Sequence, residues 1–228
     1  MKEDFIRVIA IDGPSGSGKG TLSFLLSQSL SWNILDSGAI YRALAYSCHA
    51  NNVDLLDEDK VVNLAHDLKV YFQKDKKGEI RAIYKGIDIS NIIRTEESGK
   101  YASKIASMPR VRDALILRQH SFRKAPGLIA DGRDMGTVVF PDAALKIFLS
   151  ADENVRASRR HSQLMGKGEN VSLPRLKGDI ELRDKRDTSR KVSPLAPAED
   201  ALIIDSTELS ATEVFERVLN ELRAIEIL

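Results

Sequence analysis

A chain of 228 residues with 43% hydrophobic and 29% charged side chains is long enough for one large domain with inserted subdomains, and its composition is that of an ordinary soluble globular protein. Its 34 lysines and arginines nearly balance 33 aspartates and glutamates, so bulk charge marks neither a nucleic-acid nor a membrane partner, and any anion site must come from local clustering. The lone cysteine, Cys48, excludes an intramolecular disulfide and a cysteine-based zinc site, and no apolar stretch approaches the ~20 residues of a membrane span.

Met1-Lys-Glu-Asp runs directly into an apolar strand over 5–11 with no signal-like segment before it, so a cytoplasmic protein is expected. Then come Gly13, Pro14, Ser15, Gly16, Ser17, Gly18, Lys19, Gly20 and Thr21, followed by a helical pattern with Leu22, Leu25, Leu26 and Leu30. Strand, glycine-rich turn and helix start form the context of a phosphate-binding loop. The glycines let successive N–H groups turn inward on an anion, the helix N-terminus adds partial positive charge, and Lys19 adds a whole one. Gly20 stands where Ser or Thr usually follows the lysine. The phosphate cradle is unaffected, but a Thr21 hydroxyl on Mg²⁺ stays open.

A second strand is expected over 32–36, then a helix from Ser37 towards Asn51 with Asp36 and Ser37 as candidate caps, and another helix over 57–68. Strand, helix, strand at this spacing predicts a parallel sheet of βαβ units. The pattern then changes to short β-prone runs at 69–73, 80–84 and 87–89, separated by hairpin turns at 75–78 and 85–86, which predicts a small antiparallel insertion. Helices are expected over 95–107 and 110–124, divided by Pro109, and over 152–165, 174–190 and 210–227. Core strands are expected at 127–131, 145–149 and 201–205, with a loop at 166–172.

The chemistry-bearing residues follow the C-terminal ends of these strands, the edge where open α/β sheets bind ligands. Asp131 closes the strand at 127–131, either as an Mg²⁺ carboxylate or as a turn cap. Arg133 and Asp134 follow in a glycine-flanked turn and read either as a surface ion pair or as an orienting clamp on a ligand, the clamp being favoured because two glycines so close allow close backbone approach. Arg42 lies beyond Ser37 with Tyr41 beside it, and Arg112 starts a later helix; each arginine alone also reads as a solvated surface residue. Arg183, Asp187 and Arg190 share one helix face, and Arg156 and Arg160 are spaced i, i+4 on the helix before. Such helices read either as exposed and ion-paired or as a mobile lid that excludes water during phosphoryl transfer. Planar guanidinium forks suit transfer between two phosphate-bearing ligands. The four histidines, His49, His66, His120 and His161, read as structural or surface residues.

Four stretches together resemble the bacterial cytidylate kinase family: Ile-Asp-Gly-Pro-Ser-Gly-Ser-Gly-Lys-Gly-Thr, Leu-Asp-Ser-Gly-Ala-Ile-Tyr-Arg, Ile-Ala-Asp-Gly-Arg-Asp-Met-Gly-Thr-Val-Val-Phe-Pro and Arg-Asp-Lys-Arg-Asp-Thr-Ser-Arg. The resemblance spans about residues 6 to 222. It implies an α/β, three-layer P-loop fold: a five-stranded parallel core sheet, an inserted small antiparallel β subdomain within a nucleotide-monophosphate-binding region of about 37–108, and a short helical lid of about 156–190. It implies transfer of the ATP γ-phosphate, with Mg²⁺, to CMP or dCMP, giving CDP or dCDP and ADP. Gly13 to Thr21 would hold the ATP phosphates, with Lys19 bridging towards the transferred group, and Gly20 after the lysine is normal for the family. Asp131 would hold Mg²⁺ through water, and Arg156 and Arg160 would close over ATP. Ser37, Arg133, Asp134, Arg183 and Asp187 would read the cytosine and sugar, and Tyr41, Arg42, Arg112 and Arg190 would surround the acceptor's phosphate and sugar.

Two other readings share the first motif. A P-loop kinase for a sugar or shikimate leaves the Asp131-Gly-Arg-Asp134 turn and the insertion unexplained, and a nucleotide-binding switch leaves the arginines without a second phosphate to bind. A monomer is expected, since no helix carries a surplus apolar face.

Overall fold

Val8–Asp12 (β1) consists of five buried residues, four of them apolar, and a strand buried on both faces belongs at the centre of a parallel sheet. The structure, a computed structural model, describes residues 6–74, 80–166, 168 and 171–227. β1 leads into helix α1 (Lys19–Leu30) and strand β2 (Asn33–Asp36). Helices α2 (Ser37–Ala50) and α3 (Glu58–His66) follow, then strands β3 (Val70–Lys74), β4 (Ile80–Tyr84) and β5 (Ile87–Asp88). Helices α4 (Ser90–Ile93), α5 (Glu96–Ile105) and α6 (Pro109–His120) precede strand β6 (Leu128–Asp131). The chain ends with β7 (Leu145–Ser150), α7 (Glu153–Met165), α8 (Leu173–Ser189), β8 (Leu202–Asp205) and α9 (Ala211–Ala224).

The large sheet has the order β2-β6-β1-β7-β8, and β1 pairs parallel with β6 on one side and β7 on the other. The five strands expected from sequence are these five. Ile9, Ile11, Leu22, Leu26, Ile129, Ile147 and Leu149 pack with Val214, Val218 and Leu222 of α9 into one apolar core. α9 begins at a full capping box, with Ser210 and Glu213 satisfying each other's backbone amides.

The chain divides into two compact units, one formed by the described residues of 1–35 and 120–228, the other by Asp36–Gln119. The second unit holds the antiparallel sheet β3-β4-β5. Its β4–β5 turn at 85–86 is present, whereas the turn expected at 75–78 lies outside the described residues. α2 is capped by Asp36 alone, whose carboxylate accepts from Ala39 N at 2.9 Å; Ser37 is already helical.

Several boundaries differ from expectation for local reasons. Pro109 begins α6 instead of standing before it, because the first turn of a helix needs no N–H there. That helix stops at His120, not 124. α8 starts at Leu173, one residue before Pro174, and ends at Ser189, which leaves Arg190 just outside it. Neither α4 nor a π-helix over Met135–Val139 is expected from the sequence. α7 and α8 meet through a small apolar seam of their own, Ala157, Leu164, Leu176 and Ile180 with Val171 against it. The loop expected at 166–172 is described only at Gly166, Gly168, Val171 and Ser172.

Candidate active site

After Asp12 the chain turns at Gly13, with φ +146°, where an added Cβ would lie 2.0 Å from the carbonyl oxygen of Leu149. Only a hydrogen fits. Gly18, at φ +99°, occupies the N-cap of α1 and supplies no side-chain acceptor to the first amides of the helix, the arrangement that suits an anion. Lys19 follows and folds back, its Nζ donating to the carbonyl of Pro14 at 2.8 Å. Burial, with Arg133 and Arg183 adding to it against the opposing carboxylates of Asp131 and Asp12, pushes the Lys19 ammonium down to about 7. A buried cation this close to neutrality suits a pocket made for an anion.

Asp131 ends β6 in register with Ile11 of β1. A Cβ placed on Gly20 would lie 3.7 Å from its Oδ2, so the carboxylate stands at the start of α1 and Gly20 leaves that side open. Thr21, the next residue, is exposed. Mg²⁺ is usually held by one or two carboxylates together with substrate phosphates and water, not by a protein cage. One carboxylate beside a phosphate cradle fits that pattern, and no cluster of three metal-ligating side chains occurs among the described residues.

The helix pair α7–α8 grips this loop. Arg156, only 5% exposed, donates through Nε to Ala151 O at 2.9 Å and through Nη1 to Ser15 O at 3.0 Å, and the same Nη1 pairs with the Asp184 carboxylate. Arg183 reaches Ser15 Oγ at 3.5 Å and lies 4.0 Å from Asp187 Oδ2. Asp187 accepts from Arg133 Nε at 3.0 Å, and its own backbone carbonyl accepts from Arg190 Nε at 3.2 Å. Burial raises the Asp187 carboxyl, but Arg133, Arg183 and Arg190 more than offset it and hold it below the usual range. Arg133 is likewise lowered by burial and raised further by Asp187 and Asp131, leaving it firmly cationic. Arg160 is half-buried and donates to Gln163 Oε1 at 2.7 Å.

Asp134 is 3% exposed and precedes the π-helix, whose Val138 and Val139 amides bond its backbone carbonyl. In the second unit, Ser37 Oγ donates to Gln119 Oε1 at 2.8 Å, and the Arg112 guanidinium stands 5.7 Å over the Tyr41 ring. Arg112 also donates to Ala106 O at 3.2 Å. Tyr41 is buried and Arg42 half-buried on α2.

A profile described as cytidylate kinase matches residues 9–224. The chain belongs to the cytidylate kinase family. A cytidylate kinase from Pseudomonas putida is 55% identical over 216 residues, covering 94% of this chain and 95% of the relative. One from Pectobacterium atrosepticum is 55% identical over 218 residues, covering 96% of each. The solved structure of an uncharacterized protein from Eubacterium ventriosum aligns with a TM-score of 0.50 at 10% identity, covering 95% of this chain and 98% of that one, a likeness of fold alone.

Three residues around this candidate site carry no role in the sequence reading. Asp184 pairs with Arg156 on the facing helix. Ser206 Oγ reaches both Ser150 O at 2.9 Å and Ser17 O at 3.2 Å, bracing the loop from beneath. Asp12 bonds two amides 123 and 124 residues further on. Only Asp12 offered a signal, as a charged residue ending an otherwise apolar strand.

Proposed function

We propose that this protein catalyses transfer of the γ-phosphate of ATP to CMP or dCMP, giving ADP and CDP or dCDP. The observation that carries the reading is the grip of two arginines, Arg156 and Arg183, on Ser15 inside a phosphate-binding loop. Arg183 also lies beside Asp187, the partner of Arg133. In this reading Gly13 to Thr21 cradle the ATP phosphates through backbone amides, and Lys19 leaves Pro14 to meet the transferred group. Arg156 and Arg160, on a lid of about 156–190, neutralise charge that grows on the phosphoryl oxygens in the transition state. Arg133, Asp134, Arg183 and Asp187, with Ser37 of the region about 37–108, read cytosine and sugar. Tyr41, Arg42, Arg112 and Arg190 hold the acceptor's phosphate and sugar.

Asp131 would hold Mg²⁺ through water, with the Thr21 hydroxyl nearby. When bound, the ion supplies neutralisation of the phosphate oxygens. Phosphoryl transfer asks little covalent chemistry of a protein, so positioning and fixed charge suffice and no serine–histidine pair is needed. An acceptor site that offers acceptors to the exocyclic amine of cytosine disfavours uracil, because its groups would then face unpaired partners at about 1–3 kcal/mol each. Asp134 and Ser37 are the candidate acceptors. The protein is read as a cytoplasmic monomer.

The test is a coupled ADP-release assay with CMP, dCMP, UMP, AMP and shikimate as acceptors, with and without EDTA, and with Lys19→Ala as control. Preference for CMP and dCMP, lost with EDTA and in the control, is the expected result. ADP release with shikimate alone, or none with any acceptor from folded, ATP-binding protein, would overturn the reading. Sedimentation reports the oligomeric state.

A further inference from the structure

Asp12 ends β1 one residue before the glycine that opens the phosphate cradle, and it is 4% exposed. Its two carboxylate oxygens have separate tasks. Oδ1 accepts from the amide of Met135 and Oδ2 from the amide of Gly136, each at 2.8 Å. These amides open the π-helix over Met135–Val139, where intrahelical partners are missing. Burying a carboxylate costs free energy that two charge-assisted hydrogen bonds offset only in part. A simple cap would not need one so deep.

The peptide that joins Asp134 to Met135 is thereby fixed at both ends. Its N–H is held by Asp12, and its carbonyl accepts from Val138 N at 2.9 Å and Val139 N at 3.1 Å. A peptide plane held on both sides fixes where the Asp134 Cα stands, so the base of the Asp134 side chain is anchored to the root of the phosphate-binding loop. Arg133, one residue earlier, is held on its other side by Asp187.

We propose that Asp12 is a positioning residue that fixes the Arg133–Asp134 turn against the phosphate-binding loop, and so determines acceptor affinity and base selectivity without touching either nucleotide. The inference rests on the reading of Arg133 and Asp134 as acceptor-binding groups.

Asp12→Asn is the informative variant, because it keeps the shape but replaces one acceptor by an N–H₂ that faces a backbone amide. The expected result is a KM for CMP raised at least about tenfold and a narrowed preference for CMP over UMP, with KM for ATP within about twofold of wild type. Unchanged CMP kinetics, or equal losses for both substrates, would overturn the proposal. A second measurement needs no variant: hydrogen exchange at Met135 and Gly136 in the ligand-free protein. Both amides should be protected; exchange at open-loop rates would also overturn it. Wild type without CMP-dependent ADP release removes the functional reading itself, whereas an active wild type beside an indifferent Asp12→Asn removes only this inference.

Discussion

Arg156 Nη1 donates to the backbone carbonyl of Ser15 at 3.0 Å, joining α7 to the phosphate-binding loop across 141 residues of chain. The bond uses a carbonyl, a group that an anion would avoid, and so takes none of the loop's amide donors. Asp184 holds the same guanidinium nitrogen from α8, so the arginine is aimed before any nucleotide arrives.

Arg156→Ala should therefore lower kcat on the order of a hundredfold, as loss of a preorganised cation does. Arg156→Lys should not restore it, since a point charge lacks the fork that spans Ala151, Ser15 and Asp184. Steady-state kinetics on both variants, with thermal melting as a check on folding, decide the matter.

Lys19, held near 7 chiefly by burial, should take up a proton when ATP brings negative charge beside it. Calorimetric titration at about pH 8 in two buffers of different ionisation enthalpy should show uptake approaching one proton. At about pH 6 the lysine is already charged, and uptake at this group should disappear. The same shift makes stability rise with pH between about 7 and 10.5, because there the unfolded chain binds the extra proton.

The glycine positions give a contrasting pair. Gly13→Ala combines a positive φ with a Cβ 2.0 Å from a backbone oxygen and should cost at least about 3 kcal/mol. Gly178→Ala lies inside α8 with no atom within 4 Å of the new Cβ, and should stabilise by about 0.5–1 kcal/mol. Chemical denaturation curves of the two proteins should move in opposite directions.

How much of this was readable from sequence depended on chain distance. The cradle was legible because its requirements are local: Gly13 and Gly18 adopt conformations other residues resist, and Lys19 follows directly. The parallel core was legible because fully buried strands are apolar throughout. Asp12 shows in the sequence only as a charge at the end of an apolar strand; its partners lie 123 and 124 residues away, and no periodicity encodes such a pairing. Arg156 and Arg160 are equivalent in the sequence at i, i+4, and the spacing does not encode that Arg156 bonds Ser15 while Arg160 donates to Gln163. The π-helix hid behind Gly132 and Gly136, which on sequence grounds mark a turn.

Asp187 offers a pH test of the arginine set. Its carboxyl is depressed by Arg133, Arg183 and Arg190 against the effect of burial, so its contribution is complete above the ordinary value of 3.8 and lost as pH falls through the depressed one. Asp187→Asn should cost about 3 kcal/mol near neutrality by removing the carboxylate that Arg133 is paired with. The gap between the two urea curves should close under more acidic conditions.

The seam of Ala157, Leu164, Leu176 and Ile180 gives the α7–α8 pair a stiffness of its own, apart from the main core. One helix carries the hand that holds Ser15, and the other carries the hand that holds Arg133. Because Arg183 of α8 also reaches Ser15 Oγ, the phosphate-binding loop and the Arg133 turn are tied to the same pair of packed helices.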